Sequence, residues 1–565
     1  MEAEFWDGKR GPGVNDVIHP DNYKNVVEII EQAFSEHAHR PAFTALGETL
    51  TFEQIDRLSA DFAAYLQNET DLQPGERIAI QMPSVLQYLV VLYGSLRAGL
   101  IIVNTNPLYT AREMKHQFND SGARALVYVD MYGSLVEEVL PETDIKYLIQ
   151  TSMGDMLPFV KRTVINSVVK YVRKAVPKFN LPAAIPFKQT LKKGKKYAYR
   201  AVSPRSNNIA LLQYTGGTTG VAKGAMILHS NLVAQIRQLK AAENAQNRKG
   251  EVIGTPGEEI VICPLPLYHI YAFTVHCIAA FKMGNHSVLI ADPRNTSLFI
   301  SVLKKWNFTA LTGINTLFVS LMDHPEFKNV DFSHMKSTFS GGTALNRDTA
   351  ERWEKITRCP ITEGYGLTET SPTACANPAD GQGRLGTIGL PIAGTAIKVI
   401  DDDGRDLGFD EPGEICIKGP QVMGGYWQRP EATAEAIVDG WFKTGDIGII
   451  EEDGYVSIVD RKKDMIIVSG FNVFPNEIED VMASHPKVEL CACIGVDDAK
   501  SGEVPKVFVV KSDPSLTVDE LKTHCRKNLT GYKQPKHFEF RDELPMTPVG
   551  KILRKELRDP VAEPA

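Results

Sequence analysis

The sequence predicts an α/β protein: a large amino-terminal domain of helix-covered mixed sheets with a β-rich subdomain, then a small α+β domain. Three observations predict it. Apolar strand-like runs alternate with helical periodicity over the first part of the chain. From about residue 395 short strands separated by turns take over. After Asp464, helices and strands make a compact unit of about the minimum domain size. A chain of 565 residues is also too long for one ordinary core. The boundary is placed near Arg461–Asp464, giving domains 1–461 and 462–565, with the β-rich part at about 395–461.

The elements follow in order. Residues 24–36 (KNVVEIIEQAFSE) carry helical periodicity, and LTFEQI (50–55) begins a second helical stretch after a short strand. ERIAIQM (76–82) reads as a strand, SVLQYLVVLYGSLRAG (84–99) as a buried helix and IIVNTNP (101–107) as another strand. Such alternation implies a parallel sheet covered on both faces. Ile260 to Phe281 lacks Asp, Glu, Lys and Arg and is nominally long enough to span a membrane. Pro264 and Pro266 interrupt it beside His269 and His276, so a strand (260–263), a proline-rich turn and a buried helix are expected instead. Beyond 395, IKVIDDDG, GEICIKG and GYVSIVDRKKD read as short strands with turns. A helix (475–485), two strands (489–496, 506–511) and a helix (518–529) complete the chain.

With 43% hydrophobic and 23% charged residues, the composition is that of a soluble globular enzyme, not of a disordered chain. The net charge of −7 gives no support to nucleic-acid binding. Eight cysteines form no CxxC pair, so reduced, buried thiols are expected and no zinc ribbon or disulfide framework. The polar, charged start MEAEFWDGKRGPG is unlike a secretory signal, and a cytosolic compartment is expected.

The strongest local signal is YTGGTTGVAKG (214–224), between the apolar runs IALLQ and AMIL. Its glycines, threonines and lysine suit a loop that approaches phosphate with backbone N–H groups and hydroxyls; the bland alternative is a flexible turn. It is neither GxxxxGK[ST] nor GxGxxG. In EGYGLTETSP (363–372), Tyr365 could stack on a base and Glu369 could hold Mg²⁺, although alone Glu369 reads as a surface acid. GWFKTGDIG (440–448) offers Asp446, either to ribose hydroxyls or simply to a turn. DRKKDMIIVSGFNVFPNEIE (460–479) puts Arg461 at the proposed boundary, and MTPVGKILRKEL (546–557) puts Lys551 after a Pro-Val-Gly turn.

These segments, in this order and at roughly these spacings, resemble the adenylate-forming superfamily of acyl-CoA synthetases, firefly luciferase and peptide-synthetase adenylation domains. The resemblance runs from LTFEQI to the terminal lysine motif. Within it, DRKKDMIIVSGFNVFPNEIEDV, GPQVMGGYWQRPEAT (419–433) and the Thr-Gly-Tyr-Lys run (530–533) are similar to bacterial long-chain fatty acid–CoA ligases. The resemblance implies that Thr215, Gly216, Gly217, Thr218, Thr219, Gly220 and Lys223 hold the β- and γ-phosphates of ATP, with Thr215 and Glu369 near Mg²⁺. It implies an adenine site at Gly341, Gly342, Glu363, Gly364 and Tyr365, with Thr368 also on the nucleotide, and a ribose site at Asp446 and Arg461. Lys551 is implied to bridge the carboxylate and α-phosphate, Lys463 to be the hinge, and Ser469 and Gly470 to face CoA.

The chemistry fits these residue types. A carboxylate becomes reactive toward a thiol only as an acyl adenylate, and forming one gathers negative charge that Mg²⁺, the threonine loop and Lys551 would offset. The charge-free 264–281 stretch, with His269 and Tyr271, is expected to wall an apolar acyl pocket; His269 reads equally as a contact or as a hydrogen-bonded core residue. Expected partners are a long-chain fatty acid, ATP and CoA, and a homodimer stays open. Rival readings are an aryl- or medium-chain ligase, an enzyme loading a carrier protein, a non-catalytic lipid binder, and a serine hydrolase. The last lacks its GxSxG elbow.

One segment is left over. Residues 156–242 contain no Asp or Glu, and twelve Lys or Arg fall between Met156 and Arg200. From Pro158 to Val176, Val160, Val164, Val168 and Val172 recur at i+4 with Arg162, Lys170, Arg173 and Lys174 mainly opposite. A basic amphipathic helix ending at Pro177 is expected, lying on an anionic membrane through residues 158–178 or packed on the core with a solvated basic face.

Overall fold

The computed structural model describes residues 3–18, 23–215, 222–469, 471–498, 500–547 and 551–558. Two large sheets dominate. The seven-stranded sheet runs, in spatial order, Ile185–Pro186, Tyr147–Thr151, Ala123–Val129, Arg77–Gln81, Ile101–Asn104, Ile209–Thr215 and Lys223–Leu228. All its pairs are parallel except the last, a hairpin that sets Thr215 opposite Lys223. Helix Leu86–Arg97, buried along its whole length, packs between the sheets, as a helix apolar on every side does; its buried Gln87 and Arg97 are hydrogen-bonded. It is the helix expected at 84–99, trimmed at both ends.

The nine-stranded sheet holds five adjacent strands that position the site: Ile260–Cys263, Ala310–Gly313, Ser337–Gly341, Ile361–Gly366 and Thr373–Ala376. The first four are mutually parallel and the fifth is antiparallel. Because side chains alternate across a strand, the sheet has two different faces. Ile262, Leu311 and Ile361 pack on Phe299, Phe318 and Trp353 on one side. On the other, the register aligns Thr312 with Phe339 and Thr362, and Gly341 with Gly364 and Ala376. That second face is thin, with glycine at the carboxyl ends of its strands, where ligands enter sheets of this kind.

The apolar 260–281 stretch divides as expected: a strand, a turn, then helix Ile270–Ala272 continuing as the π-helical segment Phe273–Ala280. No helix among the described residues is long and apolar enough to cross a membrane. Strands Ala396–Ile400, Gly413–Lys418, Ile437–Val438, Trp441–Ile450 and Val456–Arg461 form the β-rich sheet. The carboxyl-terminal part has its own five-stranded sheet and its own core, in which Ile478, Met482 and Leu521 pack on Cys493 and Val507. All eight cysteines are buried and free.

The basic helix is shorter than its periodicity suggests. It is α-helical over Phe159–Ser167, widens to a π-helix over Val168–Val172 and stops at Arg173, because Lys174 takes a left-handed φ of +51°. None of its residues is buried, so it does not pack on the core.

Candidate active site

Between the glycine face of the nine-stranded sheet, helix His229–Ala241 and the carboxyl-terminal unit lies a cavity of about 910 Å³. Thr215, Lys223, His269, Tyr271, Gly341, Gly342, Glu363, Gly364, Tyr365, Thr368, Glu369, Arg461 and Lys551 all line it, although up to 336 positions separate them in the chain. Asp446 stands just behind: its carboxylate pairs with Arg461 Nε at 2.6 Å and accepts the Tyr365 hydroxyl at 2.5 Å. Asp446 and Arg461 are direct partners across two β-rich strands, which is why two sequence-distant candidates meet. Lys463 and Ser469 do not line the cavity. Lys463 is half-buried, its pKa lowered to about 8 by burial and then by Arg461, Arg558 and Arg554, against Asp464. Ser469 is exposed and its amide donates to the Ser501 carbonyl at 2.7 Å. Gly216, Gly217, Thr218, Thr219, Gly220 and Gly470 lie outside the described residues.

The glycines are there for space. A Cβ on Gly341 would sit 3.2 Å from the Tyr271 ring and 3.3 Å from the Gly364 carbonyl, and Gly342 has φ +87°. Glu363 is buried, one oxygen accepts the Leu345 amide at 3.0 Å, and burial raises its pKa to about 8, so it is neutral at pH 7. Glu369 is not the surface acid that it reads as when taken alone. It is 8% exposed, burial raises its pKa, and the Tyr426 hydroxyl donates to it at 2.9 Å.

His269 holds two structural positions at once. It caps the helix Ile270–Ala272, Nδ1 accepting the Tyr271 amide at 3.4 Å, and also lines the cavity. Burial first, then the charge of Lys551, lowers its pKa to about 4, so the ring is neutral, and with Nδ1 an acceptor the proton sits on Nε2. Lys551 feels opposing influences: burial and Arg461 lower its pKa, while Asp446 and Glu369 raise it.

Sequence reasoning missed several supports. Tyr426 holds Glu369 and lies under Lys223, whose Nζ is 5.0 Å from its ring centroid. The GGYWQRP phrase was the available signal, but nothing in it pointed to an acid 57 residues earlier. Beneath the cavity, Tyr88, Asn104, Gln213 and the Tyr268 carbonyl form a chain of hydrogen bonds that ties the seven-stranded sheet to the His269 turn. On the carboxyl-terminal unit, Arg554 bridges Glu479 and Asn476 three residues beyond Lys551.

The cavity thus brings together a paired Asp–Arg, a buried acid and a lysine from the carboxyl-terminal unit. Comparison with known proteins supplies the family. The AMP-binding enzyme family matches residues 30–427, its carboxyl-terminal domain matches residues 477–551, and the chain belongs to that family. It is 49% identical over 556 residues to a long-chain-fatty-acid–CoA ligase of Salmonella typhimurium strain LT2, covering 98% of both chains. Among solved structures it is similar to ATP-bound MatB from Rhodopseudomonas palustris (TM-score 0.76, 27% identity, 94% of this chain and 98% of that one). The fold also matches the anthranilate CoA ligase AuaEII in complex with anthranoyl-AMP (TM-score 0.82, 23% identity, 95% and 97% covered).

Proposed function

We propose that this enzyme activates a long-chain fatty acid with ATP and passes the acyl group to CoA, releasing AMP and pyrophosphate. The observation that carries the reading is the convergence of Lys551, Arg461, Glu369, Thr215 and Lys223 on one cavity, which is also lined by apolar residues of the 270–283 segment such as Ile270, Val275, Ala279 and Met283. The names of its relatives support the choice of acid.

In the first half-reaction a carboxylate oxygen attacks the α-phosphorus; the new O–P bond forms as the bond to the β-bridging oxygen breaks, and pyrophosphate leaves with the electron pair. Gly341, Gly342, Gly364 and Tyr365 form the adenine site, with the neutral Glu363 as a hydrogen-bond donor. Asp446 and Arg461 take the ribose; the loop from Thr215 to Lys223, with Thr368, takes the phosphates. Lys551 offsets charge between carboxylate and α-phosphate, and His269, neutral, offers Nε2–H without adding charge. No group of three His, Cys, Asp or Glu that could hold a metal occurs among the described residues. A buried single acid therefore suits Mg²⁺, which keeps waters and shares phosphate oxygens. Glu369 and Thr215 would hold it, and its charge would offset that of pyrophosphate.

In the second half the CoA sulfur bonds to the acyl carbon, the AMP phosphate leaves and the thiol proton goes to solvent. Domain 462–565 turns about Lys463, withdrawing Lys551 and presenting Ser469 and Gly470 to the pantetheine arm. AMP production with CoA and a series of acids from acetate to oleate tests the reading. Formation of AMP with long acids is expected; ADP in place of AMP, or a rate indifferent to the acid, refutes it.

The reading places the enzyme in the cytoplasm, docked peripherally on the inner face of the membrane through residues 158–178. Of the 17 large hydrophobic residues that are exposed among those described, six (Phe159, Val160, Val164, Val168, Tyr171 and Val172) fall in this one helix beside Lys161, Lys170, Arg173 and Lys174. Exposed apolar side chains among cations, with no acid in the segment, match an anionic lipid surface, in which free fatty acids dissolve.

A further inference from the structure

The cavity has a second end, away from Lys551. The row of Gly341, Gly364 and Ala376 lies toward the carboxyl ends of the parallel strands, and it lines the cavity together with Arg461 and Lys551. From there the cavity runs back along the strands, over Thr312, Phe339 and Thr362 and then over Val261 and Ala310. Helix His229–Ala241 and segment Phe273–Ala280 cover it.

What closes this far end belongs neither to the sheet nor to those helices. Arg10, Gly11, Pro12 and Val14, from a turn near the amino terminus, line the cavity together with Ala242 and Pro378. The segment is fastened on both banks. Trp6 is fully buried and its indole N–H donates to the Gly454 carbonyl at 2.8 Å. Arg10 Nε donates to the Pro391 carbonyl at 2.8 Å on one side, and the Asn15 amide donates to the Ala241 carbonyl at 2.7 Å on the other. Between those two ties, Gly13 passes so close to the helix end that a Cβ would meet the Asn244 carbonyl oxygen at 1.8 Å. A segment with φ +79° and no room for a side chain is held in place, not draped.

We infer that this amino-terminal strap is the end wall of the acyl channel and that Val14 sets the longest chain that fits. The inference rests on the acyl-CoA ligase reading. A wall tied through its backbone discriminates because a chain one methylene too long has to displace it, and one methylene of misfit changes kcat/KM by about tenfold or more.

The test compares kcat/KM for octanoate, hexadecanoate and icosanoate, by AMP production with CoA, in the wild type, Val14→Trp and Val14→Ala. The larger side chain is expected to lower the hexadecanoate-to-octanoate ratio by about tenfold or more. The smaller one is expected to raise the icosanoate-to-hexadecanoate ratio. Thermal unfolding midpoints show whether each variant folds, and Val14→Ala decides the matter alone if Val14→Trp does not. Folded variants with wild-type ratios overturn the wall. A wild type that forms no AMP with any acid sinks the ligase reading instead.

Discussion

Lys551 lies within the electrostatic reach of Arg461, Asp446 and Glu369 although they come from different strands and turns. In the proposed mechanism its charge serves adenylate formation alone. Lys551→Ala is therefore expected to slow fatty-acid-dependent ATP–pyrophosphate exchange by about a hundredfold or more, since one lost charge contact in a closed site has that size. Thioester formation from supplied acyl-AMP should survive; equal losses in both assays would assign Lys551 a structural role. Tyr426 makes a second, separable prediction. Its hydroxyl is the donor to buried Glu369. Tyr426→Phe leaves that oxygen without a donor, and hydrogen bonds to charged groups are worth about 1.5–3 kcal/mol. A fall of about tenfold or more in kcat/KM for ATP is expected, with the Mg²⁺ concentration for half-maximal rate raised; an unchanged Mg²⁺ dependence would count against Glu369 as the metal-side acid. Residue types were legible here and their neighbours were not. The EGYGLTETSP phrase offers Glu369, but burial and Tyr426, which change its chemistry, come from a strand face and a loop elsewhere in the chain.

Two elements carry predictions of their own. The short helix Arg554–Arg558 follows Lys551 directly, and Arg554 fixes it to the carboxyl-terminal unit. Its guanidinium meets Glu479 at 2.6 Å and Asn476 at 2.8 Å, with Asp464 at 3.5 Å. Arg554→Met removes the cation from between acids that are themselves buried or nearly so, a loss of about 3–5 kcal/mol for a buried pair broken on one side. Exchange should fall more than thioester formation, because the loop carrying Lys551 loses its anchor; a uniform loss would mean only a weakened fold. The exposed helix Phe159–Ser167 and its π-helical extension make the other. Each basic residue near an anionic surface contributes roughly 1 kcal/mol. Changing Lys170, Arg173 and Lys174 together to Gln should release the enzyme from anionic vesicles in co-sedimentation at moderate salt. If the wild type does not sediment, or the triple variant sediments equally, the docking idea is discarded. Periodicity found this helix, but it overran the end: Lys174 turns left-handed before Pro177 is reached. It also left open which way the apolar face points, because nothing local distinguishes a face packed on a core from one left bare.

At the scale of the whole molecule, several buried imidazoles set the response to acid. Burial lowers the pKa of His229 and His286 to about 4 and of His276 to about 3. Each is depressed below the usual value near 6.5, so the unfolded chain binds more protons between those values. Stability is fully present above about pH 6.5 and is lost as pH falls toward 4, by up to about 1.4 kcal/mol per pH unit per histidine. His276, between Ser287 at 3.2 Å and Thr312 at 3.0 Å, can be replaced by Gln with similar hydrogen bonds. The midpoint of thermal unfolding should drop between pH 7 and pH 5 in the wild type and drop less in His276→Gln; parallel curves would show that other groups dominate.

The sequence by itself determined the alternation of strands and helices, the change of texture near 395, the reduced cysteines and thirteen of the residues that line the cavity. These are properties of local pattern: periodicity, glycine and proline placement, and short motifs whose residue types suit one chemistry. Only the tertiary structure decided which of those residues meet. Register across strands joins Asp446 to Arg461 and lines up Gly341, Gly364 and Ala376, and it depends on pairing that no single segment encodes. Folding also turned Glu369 from a surface acid into a buried one, and laid residues 10–14 along a cavity whose other walls begin at Asn104. The reason is physical: periodicity reports which face of an element is apolar, whereas burial, pKa and channel length depend on what the rest of the chain places against that face.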